Sequence, residues 1–388
     1  MLDYNNLWNS VEKLPWCALV TTGRVGSDFF QSLLDSHPEV FVFNGTLFFH
    51  EFWQQSYCAN YQGDVDIQDL VDEFIGYNII KFKSKYDYQE RKNQLGLKMD
   101  QSISIDIDLF KKHMISLFDF RTINSKNFLI AVYTVYALLL GQDLSRKKLF
   151  FHHIHHIWKL DPYLKDFPDS KIISMTRDPR ATFVSGVEHW RKYDPKTDTP
   201  AHVFFVLKRT IDDAKELKKY PNEFRVLRLE DLGDNKCLHL VCIWLCVSFH
   251  QCMNQSTWGG LKWWGDRLSQ SKVLENEHGF SPTLAKNNSW KTKLSKIDKA
   301  LFNYLLADRL QWYSYENQPR TNIFYSLLIF FIILTPLTYE KRFISFHYIF
   351  TNLKERKYKK AVAGLYNYSK RIILFYKLFM TCPNKLYQ

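Results

Sequence analysis

The sequence predicts an α/β domain built on a parallel sheet, followed by a helical, basic C-terminal tail. Three observations predict it. Short apolar or β-branched runs (CALV, KIISMT, FRVLRL) each lead into a helix-like segment, and strands alternating with helices bury a parallel sheet between helical layers. Glycines, prolines and acids punctuate the first two junctions, as GRVGS and RDPR. Of a formal net charge of +12, residues 320–388 hold 12 Lys/Arg against 2 Asp/Glu. The positive charge therefore belongs to the tail, and the preceding part is nearly neutral.

The elements follow in order. The N-terminal stretch MLDYNNLWNSVEKLPW has no basic segment followed by an apolar one, so nothing in it reads as an export signal, and the main domain is expected to face a reducing compartment. Cys17–Val20 reads as a short buried strand. Asp28–Ser36 reads as a helix with Phe29, Phe30, Leu33 and Leu34 on one face. Residues 60–148 read as mainly helical, and the 13-residue apolar run Phe128–Leu140 is a core helix too short to span a bilayer. Lys171–Thr176 is a second strand, Ala181–Trp190 a helix, and Phe224–Leu229 a third strand. Of seven cysteines, Cys237, Cys242, Cys246 and Cys252 share one apolar stretch. With no CxxC pair they read as buried thiols rather than a zinc site.

The tail has a different character. Thr321–Tyr339 contains no charged residue, and its centre IFYSLLIFFIIL is 12 nearly unbroken apolar positions. As a helix that is about 18 Å long, short of the roughly 30 Å hydrocarbon layer. Alternation with KERKYKK and RIILFYKLFM is what an interfacial membrane anchor needs, because rings sink while cations meet anionic head groups. The other readings are a helical subdomain packed on the core and a true transmembrane span.

Between the first strand and its helix stands TTGRVGSDFF. Gly23 and Gly26 let backbone approach a ligand with no Cβ in the way. The helix start offers unpaired N–H groups to an anion. Arg24 adds a planar fork and Ser27 a hydroxyl. A Walker loop needs GxxxxGK[ST], which GRVGS is not, so ATP-driven transfer lacks its main support. A second candidate lies at 171–185, KIISMTRDPRATFVS. There Arg177 ends a strand and Ser185, eight residues on, faces back from the first turns of a helix. Two anion sites suit a ligand with two separated phosphate-like groups.

These segments resemble the sulfotransferases that use 3′-phosphoadenosine-5′-phosphosulfate (PAPS). TTGRVGSDFFQSLLDSHPEV is similar to their 5′-phosphosulfate loop, FPDSKIISMTRDPRATFVS to their 3′-phosphate motif, and SWKTKLSKID to the C-terminal Trp-basic segment that closes over the nucleotide. The three fall in the family's order within residues 15–315. The resemblance implies a P-loop, nucleotide-kinase-like core and sulfuryl transfer from PAPS to a hydroxyl or amine, with no metal. It implies that Thr22, Gly23, Arg24, Val25, Gly26, Ser27 and Asp28 hold the 5′-phosphosulfate, that Arg177 and Ser185 hold the 3′-phosphate, and that Trp290 and Lys291 close over the donor. Asp28 departs from the usual Ser or Thr.

Arg24 is expected to stabilise charge at the bridging oxygen. For the base, relatives with a Glu shortly after the His-Pro point to His50 or Glu51. Relatives with a His about twenty-two residues before the 3′-phosphate arginine point to His155, within FHHIHHIW, which is the reserve behind Glu51 or His50. On a helix that histidine run would have zinc-like spacing, but no nearby thiol or carboxylate completes a site, and most of these histidines read as structural. The rings of FVFNGTLFFHEFW and WGGLKWWGD read either as platforms for a sugar or as core.

The expected division is a sulfotransferase domain over 1–319, with 60–148 a largely helical insertion, and a membrane-associating tail over 320–388. The expected acceptor is a glycan or lipid-linked glycan, and the expected place the inner face of a bacterial cytoplasmic membrane. Nucleic-acid binding is disfavoured because the basic residues interleave with apolar runs. The competing functions are a P-loop-like phosphotransferase and a membrane-bound relative that binds nucleotide without catalysis.

Overall fold

The structure, a computed structural model, describes residues 2–21, 23–43, 45–57, 66–82, 94–119, 121–217, 224–265, 289–315 and 323–381. Two compact units divide the chain: one of Met1–Thr21, Gly26–Thr176 and Asn222–Lys286, the other of Thr22–Val25, Arg177–Pro221 and Asn287–Gln388.

The first unit holds the sheet. Its strands are β1 (Trp16–Thr21), β2 (Val40–Val42), β3 (Leu149–His156), β4 (Lys171–Thr176) and β5 (Phe224–Arg228), all parallel, in the order β2-β3-β1-β4-β5. That is the parallel sheet expected of an α/β domain. The central strand WCALVT is buried at every position, as a parallel strand covered on both faces must be. Sequence patterning placed β1, β4 and β5 within a residue or two. It left out β2 and β3, and the histidine run is a strand rather than a helix.

Helices α1 (Tyr4–Val11), α2 (Ser27–Leu34), α3 (Phe49–Phe52), α4 (Ile67–Tyr77), α5 (Ile79–Phe82), α6 (Ile107–Phe118), α7 (Ser125–Leu139) and α8 (Leu160–Asp166) belong to this unit. Asn124 caps α7, accepting from Asn127 N, and Phe128–Ala137 along it are all buried. Phe49, Phe52, Phe74 and Phe128 pack ring against ring with centroids 5.3–6.5 Å apart. Most of the aromatics considered for a sugar platform are therefore core: Phe49, Phe52, Trp53, Trp258 and Trp263 are buried.

The second unit is helical. It comprises α9 (Pro179–Tyr193), α10 (Pro200–Leu217), and, after α11 (Asn235–Leu245) of the first unit, α12 (Trp290–Lys293), α13 (Lys296–Leu305), α14 (Ala307–Trp312), α15 (Ile323–Ile332), α16 (Phe346–Lys354) and α17 (Tyr358–Met380). Phe183, Val184, Leu207, Leu301, Ile329, Ile333, Leu337 and Phe375 share one buried cluster, so helices beyond residue 320 pack with α9, α10 and α13. Arg371, fully buried, ties them: it donates to the carbonyls of Ile333 and Thr335 and pairs with Glu340.

Candidate active site

β1 ends at Thr21, and the chain turns before α2 begins. Gly23, Arg24 and Gly26 all lie at positive φ, 95°, 56° and 86°. Glycine adopts this freely, but Arg24 does so at a conformational cost, the kind of local strain that clusters at ligand-binding loops. Ser27 is the first residue of α2 and buried, with Asp28 following it half-buried. Asp28 Oδ1 lies 3.8 Å from His153 Nδ1, so this carboxylate has an imidazole neighbour. Thr22 lies outside the described residues.

Thr22–Val25 falls in the same compact unit as Arg177, Ser185, Trp290 and Lys291. Within that unit a further arginine reaches the loop. Arg209 of α10 places Nη2 3.3 Å from where a Cβ of Gly23 would stand, and burial lowers its pKa to about 10. Nothing in the sequence pointed to it, because an arginine within an amphipathic helix is ordinarily a solvated one.

The second motif is organised by a residue that the sequence reading left unassigned. Asp178 caps α9, accepting from Arg180 N at 2.9 Å. The Arg180 guanidinium, buried, returns a bidentate pair to the same carboxylate, Nε to Oδ1 at 2.9 Å and Nη2 to Oδ2 at 2.7 Å. Nη1 donates to Asn303 Oδ1 at 2.7 Å, and the guanidinium carbon sits 4.0 Å from the centroid of Trp290. Arg177, just before this knot, and Ser185, in the second turn of α9, are each half-buried. Trp290 is buried beneath Arg180, and Lys291 is exposed.

The three candidate bases have different surroundings. His50 is buried and bonds Asp166 Oδ2 through Nε2 at 3.0 Å, while Ser125 holds the other oxygen of that carboxylate. Glu51 is ion-paired with Lys159. His155 lies near the end of β3, paired in register with Val20 of β1. In open α/β sheets, ligands gather at this carboxyl edge. A bulge interrupts the pairing between Leu19 and Val20, and His155 itself has φ +73°. Bulges of this kind re-aim side chains beside active sites. Of the other histidines in the run, His152 is buried against Tyr133 Oη at 2.7 Å, its pKa held well below the usual value by burial and by His50 and His153. His156 stacks on Trp158 at 4.4 Å. No group of three or more metal-ligating side chains is present among the described residues.

No protein-family model matches the chain, and no curated protein is similar to it in sequence. Among solved structures it is similar to the sulfotransferase domain of the Synechococcus PCC 7002 olefin synthase, at 16% identity and a TM-score of 0.45, over 78% of this chain and 96% of that one. It is similar to the sulfotransferase domain of the curacin biosynthetic pathway at 17% identity and 0.41, over 79% and 99%, and to sulfotransferase STF9 from Mycobacterium avium at 11% and 0.36, over 81% of each.

Proposed function

We propose that this protein transfers a sulfuryl group from PAPS to a hydroxyl or amine of a glycan or lipid-linked glycan, held at an anionic membrane surface by its basic C-terminal helices. The observation that carries the reading is the grouping of Thr22–Val25 with Arg177–Pro221 in one compact unit. Two arginine-bearing motifs far apart in sequence thereby belong to one body, as a donor with a phosphate at each end of its ribose requires. Arg209 beside Gly23 adds a third guanidinium of the kind that recognises oxyanions.

In this reading Gly23, Arg24, Val25, Gly26 and Ser27 hold the 5′-phosphosulfate, and Arg177 and Ser185 hold the 3′-phosphate. The acceptor oxygen attacks sulfur in line. As the new O–S bond forms, the bond from sulfur to the 5′-phosphate oxygen breaks, and that oxygen leaves with the electron pair. Arg24 stabilises the charge that grows there. The acceptor proton goes to Glu51 or His50, which carry partners in Lys159 and Asp166, with His155 in reserve. The donor is a cytosolic metabolite, which supports a place on the inner face of the cytoplasmic membrane.

Titration calorimetry with 3′-phosphoadenosine-5′-phosphate, the desulfated product, against ATP tests the donor. The product is expected to bind more tightly than ATP. Arg24→Ala and Arg177→Ala should each weaken it roughly ten- to hundredfold, the equivalent of one charge-assisted hydrogen bond of about 1.5–3 kcal/mol. Preference for ATP would make the protein a phosphotransferase. Tight binding with no transfer of labelled sulfate to any membrane glycolipid would make it a non-catalytic relative.

A further inference from the structure

Where the loop after β1 meets the helices of its own unit, charged side chains give way to aromatic ones. Arg209 of α10 stands against Gly23, and its guanidinium carbon lies 5.3 Å from the ring centroid of Phe205. His202, Phe205 and Arg209 fall at i, i+3 and i+7, which is one face of a helix. The His202 ring comes within 6.3 Å of Phe205 and 6.4 Å of Trp190 on α9. The two helices approach this closely because Gly186 has no side chain: a Cβ there would lie 2.6 Å from Val206 Cγ1. Trp190 follows Ser185 by five residues, about 140° around α9, so it does not share the face assigned to the 3′-phosphate. The row Gly23, Arg209, Phe205, His202, Trp190 thus runs through one compact unit. Its two large rings are open: Trp190 is 40% and Phe205 49% exposed, whereas Phe183, Leu207 and Ile211 of the same helices are buried in the shared core.

We propose that Trp190 and Phe205 form the acceptor subsite, and that the ligand they take is a sugar ring. This rests on the reading above, in which Gly23 and Arg24 hold the sulfuryl end of the donor. The row of side chains begins at that end, so an acceptor lying along it presents a hydroxyl to the group being transferred. Binding sites for small molecules combine aromatic walls with a few polar groups that fix orientation, and this surface has both. A pyranose matches it: the C–H faces of its ring are apolar and pack on aromatic faces, while its hydroxyls exchange hydrogen bonds with a guanidinium or an imidazole. A simple anion would have no use for the two rings, and an acyl chain none for Arg209 and His202. Trp190 and Phe205 are in this sense specificity residues, acting on which acceptor is held rather than on the donor.

The experiment is fluorine NMR of the full chain labelled with fluorotryptophan, the Trp190 signal being assigned by its loss in Trp190→Phe. Chitotriose and maltotriose, one carrying acetamido groups and the other none, are titrated with and without 3′-phosphoadenosine-5′-phosphate. At least one of the sugars should move the Trp190 signal saturably. Phe205→Ala, at a half-exposed position, should weaken that sugar roughly three- to tenfold, the worth of one aromatic contact, with nucleotide affinity unchanged. A Trp190 signal that ignores both sugars overturns the proposal. So does one that moves with the nucleotide and no further with sugar, which would place the ring in the donor pocket. A response to para-nitrophenol but to neither sugar overturns it as well and makes the acceptor a phenol. Sugar binding at Trp190 in a chain that does not bind the nucleotide leaves the subsite standing and removes the proposed reaction. Nucleotide binding with Trp190 indifferent to sugar does the reverse.

Discussion

Gly26 caps α2 with φ +86°, and a Cβ built there would lie 2.3 Å from Leu229 Cδ1. Two penalties are mixed in that contact. The leucine tip can swing away, whereas the left-handed backbone costs an L-residue about 1–2 kcal/mol wherever its neighbours go. Gly26→Ala is therefore expected to lower stability by about 2 kcal/mol or more in denaturant unfolding. Made in a Leu229→Ala background, the same change should still cost about 1–2 kcal/mol. A cost near zero in that background would show that α2 does not need glycine conformationally and that only the leucine forbids a side chain. Gly23 differs, because what a Cβ there would meet first is the Arg209 guanidinium at 3.3 Å. At this loop, then, one glycine serves the backbone, and the other also makes room for an arginine.

At the scale of elements, α9 is set by a buried ion pair at its first turn. Removing one partner of such a pair leaves a charge stranded, which costs about 3–5 kcal/mol, whereas removing both is close to neutral. Asp178→Ala deletes the cap and strands Arg180, so it should lose about 3–5 kcal/mol in denaturant unfolding. Asp178→Ala combined with Arg180→Met should recover most of that. If the double variant is no better than the single one, the carboxylate holds α9 through its cap alone. This knot also marks what was legible in the sequence. KIISMT followed by RDPR announced a strand, a turn and a helix, because β-branched residues and proline act locally. The purpose of Arg180 was not legible, since Asn303 and Trp290 come from more than a hundred residues downstream. β3 was missed for a related reason. LFFHHIHH alternates no hydrophobic and polar faces, and His152 and His153 became interior only through Tyr133, Gln31 and the flanking strands. The candidate bases were likewise named from spacing in a resembling family, and spacing carries no information on which partner engages each one.

For the whole molecule, the last question is what the tail does with its two faces. Ile329 and Ile333 are fully buried in the helical core, while Phe324 and Phe331 on the same stretch are 76% and 64% exposed. Leu327, Leu328, Phe346 and Phe350 are exposed as well. The tail is thus both a packed helical subdomain and the bearer of an apolar surface, so the two readings of its sequence are compatible. No helix among the described residues is long and apolar enough to cross a membrane. Surface apolar side chains in such number, accompanied by Lys354, Lys357, Lys359 and Lys360, which are exposed, suit a surface that is apolar within and anionic at its rim. Each lysine near such a surface contributes about 1 kcal/mol, screened by salt. The protein should therefore sediment with phosphatidylglycerol-rich vesicles at low salt and less so with phosphatidylcholine vesicles, and high salt should release part of it. Replacing Phe324, Leu327 and Phe331 together by Ser should abolish sedimentation while leaving nucleotide affinity unchanged, since Ile329 and Ile333 still anchor α15 in the core. Equal recovery with neutral and anionic vesicles would remove the role of the basic residues. No sedimentation at all, with self-association on gel filtration that the triple variant relieves, would make the apolar face a contact between copies of the chain.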